Sequence, residues 1–323
     1  MGLTLKQFTF IKKTIILASM FTLGSLVFIY AYVPNMIVEI KNPLIDFARS
    51  SFYDIKLRPT TQQTQNISFK THDGLLLNAN IYKVNHAKAN IILLHGIRSS
   101  KEQWNDEANW LNQIGYNAIA LDLRAHGQSQ GRYCSFGYYE RQDISDLIDF
   151  LQAQGFKQNF GIWGHSLGGA IALQTLAKDK RIKFGIIESA YADFKNISKD
   201  YSRYYLHFES DWLNDFLLEK ASEKAGFSLN DVNPIDFCPQ ISQPVLIIHG
   251  TADKKINPAN SRQIFTRINS NDKKLILVKG AGHTSIHQTG QKKLLDTIAR
   301  FLNRQTGIIP RQNNVHSDYN SSI

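Results

Sequence analysis

The sequence predicts an α/β fold, a mostly parallel sheet of about eight strands with helices on both faces. Six short apolar runs have the composition of strands that are buried on both faces. They occupy residues 90–95, 117–122, 160–163, 184–188, 245–249 and 275–278. Helical patterns separate most of them, at residues 101–113, 143–151, 167–177 and 284–302. Strands that alternate with helices indicate parallel crossover units, and such units build a sheet covered on both sides.

Two further strands precede this pattern, at residues 67–70 and 75–83. The Asp73-Gly74 pair between them is a strong hairpin signal. Together with the alternating region they define a domain over residues 65–303. Residues 191–243 interrupt the alternation, because they contain no buried strand and are rich in aromatic residues. We expect this segment to be a mostly helical insertion over the sheet, a lid.

The N-terminal region carries twenty uncharged residues at positions 14–33. At about 1.5 Å per residue a helix of this length spans about 30 Å, the thickness of a hydrocarbon core. Lys6, Lys12 and Lys13 precede the segment and only Lys41 follows closely, so the positive-inside bias keeps residues 1–13 cytoplasmic. We therefore expect a single-pass membrane anchor, with the domain that follows it exported. A cleaved signal peptide is the alternative.

Residues 34–64 are expected to link the anchor to the domain, and the polar residues 304–323 to form a disordered tail. The formal net charge is +10, from 37 Lys and Arg against 27 Asp and Glu. These basic residues are scattered, so no nucleic-acid partner is expected. No metal-ligand spacing, phosphate loop or dinucleotide fingerprint occurs, and no metal or cofactor is expected. Whether the two cysteines, Cys134 and Cys238, form a disulfide stays open.

Gly164-His165-Ser166-Leu167-Gly168 matches the G-x-S-x-G pattern, directly after an apolar run and before a helical stretch. A nucleophile on a sharp strand-to-helix turn is strained, and glycine neighbours let the backbone close up around it. The turn exposes the hydroxyl at a helix N-terminus, where the dipole favours developing negative charge. Ser166 is therefore the predicted nucleophile.

A serine hydroxyl needs a base, and the base needs a group that orients it. Asp253 follows one apolar run in the phrase HGTAD, and His283 follows the next in the phrase GAGH. The order Ser, Asp, His is the one used by this kind of strand-turn-helix enzyme. His287 is an alternative base, and Glu188 or Asp193 is an alternative acid.

An oxyanion intermediate requires backbone N–H donors. One is expected from Leu167, directly after the nucleophile. The other is expected from Ile97, in the loop after the strand at residues 90–95, with Arg98 as the alternative. His95 in that loop, and Asp122 and Arg124 after the next strand, are interpreted as structural residues.

Five motifs occur in order: HGIRSS, DLRAHGQSQG, GHSLGG, HGTAD and GAGH. Over residues 65–303 the chain resembles the α/β-hydrolase superfamily. More narrowly, it resembles membrane-anchored bacterial members grouped with serine aminopeptidase-like and monoacylglycerol-lipase-like hydrolases. The resemblance implies Ser166 as nucleophile, Asp253 as acid and His283 as base, with Ile97 and Leu167 as oxyanion donors.

The expected activity is that of a serine hydrolase that cleaves carboxylic esters through an acyl-enzyme on Ser166. The aromatic lid and the anchor favour a small-molecule or lipid ester as substrate. A peptidase or amidase with the same triad is the alternative among enzymes. A non-catalytic scaffold that keeps the fold is the alternative outside them.

Overall fold

The computed structural model describes residues 5–41, 64–157, 159–207, 209–307 and 321–322. Its central sheet contains eight strands of five to seven residues and a two-residue ninth strand. In chain order they are β1 (Gln65–Lys70), β2 (Leu76–Tyr82), β3 (Asn90–Leu94), β4 (Asn117–Leu121), β5 (Phe160–His165), β6 (Ile182–Glu188), β7 (Val245–Gly250), β8 (Lys273–Val278) and β9 (Ser321–Ser322). All eight strands predicted from the sequence are present.

The strand order across the sheet is β1-β2-β4-β3-β5-β6-β7-β8-β9. β2 pairs antiparallel with both β1 and β4, while the remaining neighbours are parallel. The carboxyl ends of the parallel strands therefore meet at one edge of the sheet, where the loops that carry functional side chains lie. The prediction of a mostly parallel α/β-hydrolase sheet is confirmed.

Helices cover both faces of this sheet. In chain order, the helices of the described residues are α1 (Leu5–Ala31), α2 (Val33–Val38), α3 (Asn105–Gln113), α4 (Glu140–Ala153), α5 (Leu167–Lys178), α6 (Phe194–Leu206), α7 (Asp211–Ala225), α8 (Pro234–Phe237), α9 (Ala259–Arg267) and α10 (Ile286–Gln305). Three 3₁₀ turns accompany them, at Lys101–Trp104, Leu229–Asp231 and Cys238–Gln240.

Successive residues of the buried strands point to opposite faces, and this alternation divides the core in two. Ile92 and Leu94 of β3 belong to a cluster with the buried faces of α4, α5 and α9. Ile91 and Leu93 belong to the second cluster, with α3 and α10. The uninterrupted apolar runs in the sequence therefore reflect burial on both faces.

The segment between β6 and β7 is helical, as predicted. It contains α6, α7 and α8 with two of the 3₁₀ turns. The side chain of Asp193 accepts a hydrogen bond from the backbone of Asn196 at the start of α6, and Ser210 caps α7 in the same way. We call residues 191–243 the lid.

The N-terminal chain consists of the apolar α1 followed by α2. Among the described residues, a helical stretch over Lys6–Val38 is long and apolar enough to cross a membrane, and its most apolar part is unburied. Val38 and Ile40, in contrast, lie in the core of the hydrolase domain. The described start of the predicted linker is thus packed on the domain. Its remainder, residues 42–63, and residues 308–320 of the predicted tail lie outside the described residues.

Candidate active site

Ser166 occupies the single residue between β5 and α5 and adopts φ +56° and ψ −117°. This backbone conformation is strained for a residue other than glycine, so the surrounding structure must impose it. A Cβ atom on Gly164 would lie 2.1 Å from the carbonyl oxygen of Gly168, and one on Gly168 would lie 2.1 Å from that of Leu94. Both glycines are therefore required for the close approach of α5 to the sheet.

His283 lies in the loop between β8 and α10, with its ring next to the serine. Its Nε2 atom is 3.0 Å from Ser166 Oγ, and its Nδ1 atom is 2.7 Å from Asp253 Oδ2. In this arrangement Nδ1 carries a proton towards the carboxylate and leaves Nε2 free to accept the serine proton. The structure thus brings together the three residues that the sequence predicted as a triad.

Asp253 follows β7, and its carboxylate is held by several donors. Oδ1 accepts hydrogen bonds from the backbone N–H groups of Lys255, at 2.9 Å, and Ile256, at 3.0 Å. His249 Nε2 lies 3.2 Å from Oδ2. Burial by itself would raise the pKa of Asp253, but hydrogen bonds from His249 and His283 hold that pKa far below its ordinary value. Asp253 is consequently an anion at neutral pH.

The loop after β3 lies against the nucleophile. A Cβ atom on Gly96 would lie 3.5 Å from the Cβ atom of Ser166, and the Gly96 N–H donates to Gln103 Oε1 at 3.1 Å. Ile97, the predicted donor in this loop, follows Gly96 directly. Leu167 begins α5 on the other side of Ser166. The loop that carries Ile97 therefore lies beside Ser166, and Leu167 follows Ser166 directly along the chain.

Arg98, the alternative donor in that loop, has a left-handed backbone at φ +53°. Its guanidinium donates to the carbonyl oxygen of Met36 in α2 at 2.5 Å. His95 has a structural role, since Nδ1 lies 2.7 Å from the Gly96 carbonyl and Nε2 accepts the N–H of Leu123 at 3.1 Å. These contacts fix the loop from both sides.

The alternative base and acids pair with other groups. His287 Nε2 lies 2.9 Å from Glu188 Oε1. Burial would lower the pKa of His287, but the negative charge of Glu188 outweighs it and raises this pKa to about 9. His287 and Glu188 thus form a partly buried ion pair, while Asp193 caps α6 through the N–H of Asn196 at 2.8 Å.

Asp122 and Arg124 hold the loop after β4, as the sequence predicted. Asp122 Oδ2 lies 2.7 Å from the ammonium group of Lys101, and both groups are buried. Arg124 donates two hydrogen bonds to Asp143, at 2.7 and 2.5 Å, and one to Asp73 at 3.1 Å. The side chains of both residues are engaged in these ion pairs.

Tyr201 of the lid is a site residue that the sequence did not single out. Its side chain lies close to that of Ser166, and burial raises the pKa of Tyr201, which keeps it protonated. Phe194 and Ile197 are buried on the same helix α6. The spacing of positions 194, 197 and 201 is that of one helical face, and this signal was available in the sequence.

Other reactive side chains lie apart from this arrangement. Cys134 and Cys238 are both buried free thiols. Burial raises the pKa of Cys238 to about 12 and that of Cys134 well above its ordinary value, which disfavours thiolate chemistry. Within the described ranges, no group of three or more His, Cys, Asp or Glu side chains has the geometry of a metal site.

The fold and this site define a serine hydrolase with an α/β-hydrolase fold. Residues 102–308 match the prolyl oligopeptidase family, Peptidase S9, and this match covers most of the chain. The chain belongs to that family, and the superfamily predicted from the five motifs is confirmed. It is an enzyme of the serine hydrolase type.

Among curated proteins, the chain is 24% identical to YqkD of Bacillus subtilis over 66% of this chain and 70% of that protein. It is 23% identical to YfhR of Escherichia coli K12 over 76% and 84% of the respective chains. An esterase from Pyrococcus furiosus superposes with a TM-score of 0.63 and 24% identity, over 75% of this chain and 91% of that one. Est1E from Butyrivibrio proteoclasticus, solved with bound ferulic acid, gives a TM-score of 0.60 at 19% identity, over 75% and 99%. Such structural likeness establishes the fold.

Proposed function

We propose that this protein hydrolyses carboxylic esters through an acyl-enzyme on Ser166. The observation that carries the proposal is the continuous hydrogen-bonded chain from Ser166 Oγ through His283 to Asp253, with distances of 3.0 and 2.7 Å. His283 removes the serine proton as Oγ attacks the ester carbonyl, and it then protonates the leaving alcohol. Asp253 stabilises the imidazolium. Water, activated by the same histidine, then cleaves the acyl-enzyme.

The negative charge that develops on the carbonyl oxygen requires donors that are already in place. We assign this role to the backbone N–H groups of Ile97 and Leu167. Leu167 starts α5, whose N-terminal dipole adds to the stabilisation. Each such donor contributes about 3–4 kcal/mol to transition-state stabilisation in comparable sites. Changing the side chain of Ile97 should therefore matter less than displacing its backbone.

The surroundings of Ser166 favour an apolar ester. The serine is almost fully buried, at 3% exposure, and Tyr201 of the lid lies close to it. Phe194 of the lid packs against Phe136, with ring centroids 4.1 Å apart, and against Phe227. The resemblance in fold to proteins described as esterases agrees with this choice. A small-molecule or lipid ester is the substrate that we propose for a nucleophile beneath this aromatic lid.

A peptidase or amidase activity is the second candidate, because the family match is to prolyl oligopeptidases. The same triad and oxyanion donors cleave an amide when the leaving amine is protonated by the histidine. Turnover of a series of p-nitrophenyl esters, compared with aminoacyl p-nitroanilides, separates the two activities. Faster turnover of anilides than of esters would replace the ester proposal with the peptidase one.

The nucleophile is tested with a fluorophosphonate probe, which forms a bond only with an activated serine. We expect labelling of the wild type, loss of labelling in Ser166→Ala, and strong loss in His283→Ala. Asp193→Asn is the matched control and should label normally, because asparagine caps a helix as well as aspartate does. Labelling that persists in Ser166→Ala would contradict the assignment, and an unlabelled wild type would favour the scaffold alternative.

We further propose that α1 is retained as a single-pass anchor, with the catalytic domain on the exported side. Lys6, Lys12 and Lys13 on the N-terminal side support this orientation. The carbonyl oxygen of Ala31 accepts a hydrogen bond from Lys224 of the lid at 3.1 Å, so the end of α1 is also part of the domain's packing. Retention of the protein in membranes after alkaline carbonate washing is the expected result. Release of the protein, or a mature N-terminus after residue 31, would contradict it.

A further inference from the structure

The end of α1 is attached to the lid helix α7. The ring of Tyr30 lies 6.0 Å from that of Phe216, and Lys224 Nζ donates to the Ala31 carbonyl and to Asn35 Oδ1, each at 3.1 Å. Phe216 and Lys224 are two turns apart on the same face of α7. The N-terminal half of α7 therefore extends from this attachment towards the apolar part of α1.

Trp212 lies one further turn along that face. Its ring stacks on that of Phe216 at 5.8 Å, yet 75% of the residue is exposed. We call Trp212 and Phe216 the Trp212 face. An indole this exposed is unusual on a surface in contact only with water, and tryptophan is enriched where a protein meets the membrane–water interface.

The position of α1 sets the depth at which the Trp212 face lies in a bilayer. The uncharged stretch ends at residue 33, and the apolar side chains of α1 are exposed along its length. If these side chains face lipid, the boundary between hydrocarbon and headgroups lies close to Tyr30, where tyrosine is favoured. Phe216 contacts Tyr30, so the Trp212 face lies at the same level.

Electrostatic attraction does not account for this placement. α6 and α7 together carry five Lys or Arg and five Asp or Glu residues, so their formal charges cancel. Several of these charges pair within the lid, as in the 2.7 Å contact between Lys199 and Asp211. Contact with a bilayer through the Trp212 face should therefore be apolar, insensitive to salt and independent of anionic lipid.

The same two helices connect this face to the nucleophile. Ser198 of α6 donates to Asn214 of α7 at 2.7 Å, and Tyr201, one turn further along α6, lies close to Ser166. We propose that the Trp212 face is a membrane-contacting surface, which holds the lid in the headgroup region beside α1 and lets apolar esters enter the site from the bilayer. The membrane contact rests on the proposed anchor, and the entry of esters rests on the proposed function.

The contact is tested with full-length protein in phosphatidylcholine vesicles. The emission of Trp212 is obtained by subtracting the fluorescence spectrum of Trp212→Phe, which retains the other three tryptophans, from that of the wild type. We expect a doxyl group placed near the top of the lipid acyl chain to quench this emission, at low and high salt alike, and aqueous acrylamide to quench it weakly. Quenching by acrylamide without quenching by the doxyl lipid would overturn the proposal.

The functional consequence is tested with two esters, one soluble and one embedded in the vesicles. Replacing Trp212 by Ser removes this apolar contact, so hydrolysis of the embedded ester should fall about tenfold, which corresponds to about 1.4 kcal/mol, while hydrolysis of the soluble ester is unchanged. Leu76→Ser is the control, because Leu76 is an exposed leucine on β2, outside the lid. Equal loss on both esters would refute entry from the bilayer. Absence of hydrolysis of either ester would refute the proposed function, whereas the quenching result would still decide the membrane contact.

Discussion

Replacing Asp253 by Asn tests the proposed triad with a change of one atom. The two backbone donors of Lys255 and Ile256 bind Oδ1, so in the variant this position must hold the amide oxygen. The amide nitrogen is then placed at the position of Oδ2, 2.7 Å from His283 Nδ1. Because that nitrogen is a donor, it stabilises the tautomer of His283 whose proton sits on Nε2. His283 then points a proton at Ser166 and cannot accept one.

The expected magnitude follows from this tautomer change. A triad whose histidine is held in the wrong tautomer loses about 10⁴-fold in kcat, which corresponds to about 5.5 kcal/mol of activation free energy. The carboxylate that would stabilise the imidazolium is lost as well. The loss should appear in kcat rather than in KM, because neither effect changes the binding of substrate.

The assay is steady-state hydrolysis of a p-nitrophenyl ester, together with the rate of fluorophosphonate labelling. Both rates should fall together in Asp253→Asn, while the thermal midpoint confirms that the variant is folded. Asp193→Asn and Glu188→Gln change the two alternative acids by the same single atom. A loss of less than tenfold in Asp253→Asn, or a larger loss in either control, would refute Asp253 as the orienting acid.

Two further predictions concern packing and pH. Gly168→Ala forces a Cβ atom to within 2.1 Å of the Leu94 carbonyl oxygen, so we expect a loss of about 1–3 kcal/mol in stability and a lower kcat. Gly282→Ala is the control, because its Cβ atom would lie 3.5 Å from its nearest neighbour. This control should be close to wild type in the same melting and activity assays. The pKa of His287 is raised to about 9, so its pair with Glu188 stabilises the fold fully below about pH 6.5 and loses this contribution as the pH rises through about 9. The thermal midpoint should fall over that range in the wild type and fall less in His287→Gln; parallel curves would contradict the prediction.

The sheet was predictable from the sequence because most of its strands are buried on both faces. Such strands appear as short uninterrupted apolar runs, and every run identified corresponds to a strand. Helix α9 was not predicted, since its sequence is mostly polar and its core contacts are made chiefly by Ile264 and Phe265. Two large apolar residues in nine give too weak a periodic signal to identify a helix.

The members of the site differ in how far the sequence could specify them. Ser166 was predictable from a local motif, since Gly164 and Gly168 are needed wherever the chain makes this turn. His283 was identified by its position after a strand, and His287, four residues further on, was the alternative base. The choice between them depends on a distance across the fold, because only the structure shows that Glu188 engages His287. Chain order supplies no such distance.

The sequence predicted the lid as a helical segment, but it did not predict what each of the lid's aromatic residues does. Its aromatic residues are close together in the sequence, and composition treats Tyr201 and Trp212 alike. Their burial separates them, since Tyr201 is partly buried close to Ser166 while Trp212 is largely exposed beside the end of α1. One aromatic-rich segment thus presents one tyrosine to the nucleophile and one tryptophan to the surroundings. In a soluble hydrolase the exposed tryptophan would be a liability for aggregation. Beside an apolar helix that is long enough to cross a membrane, it lies where an interfacial contact would bury it.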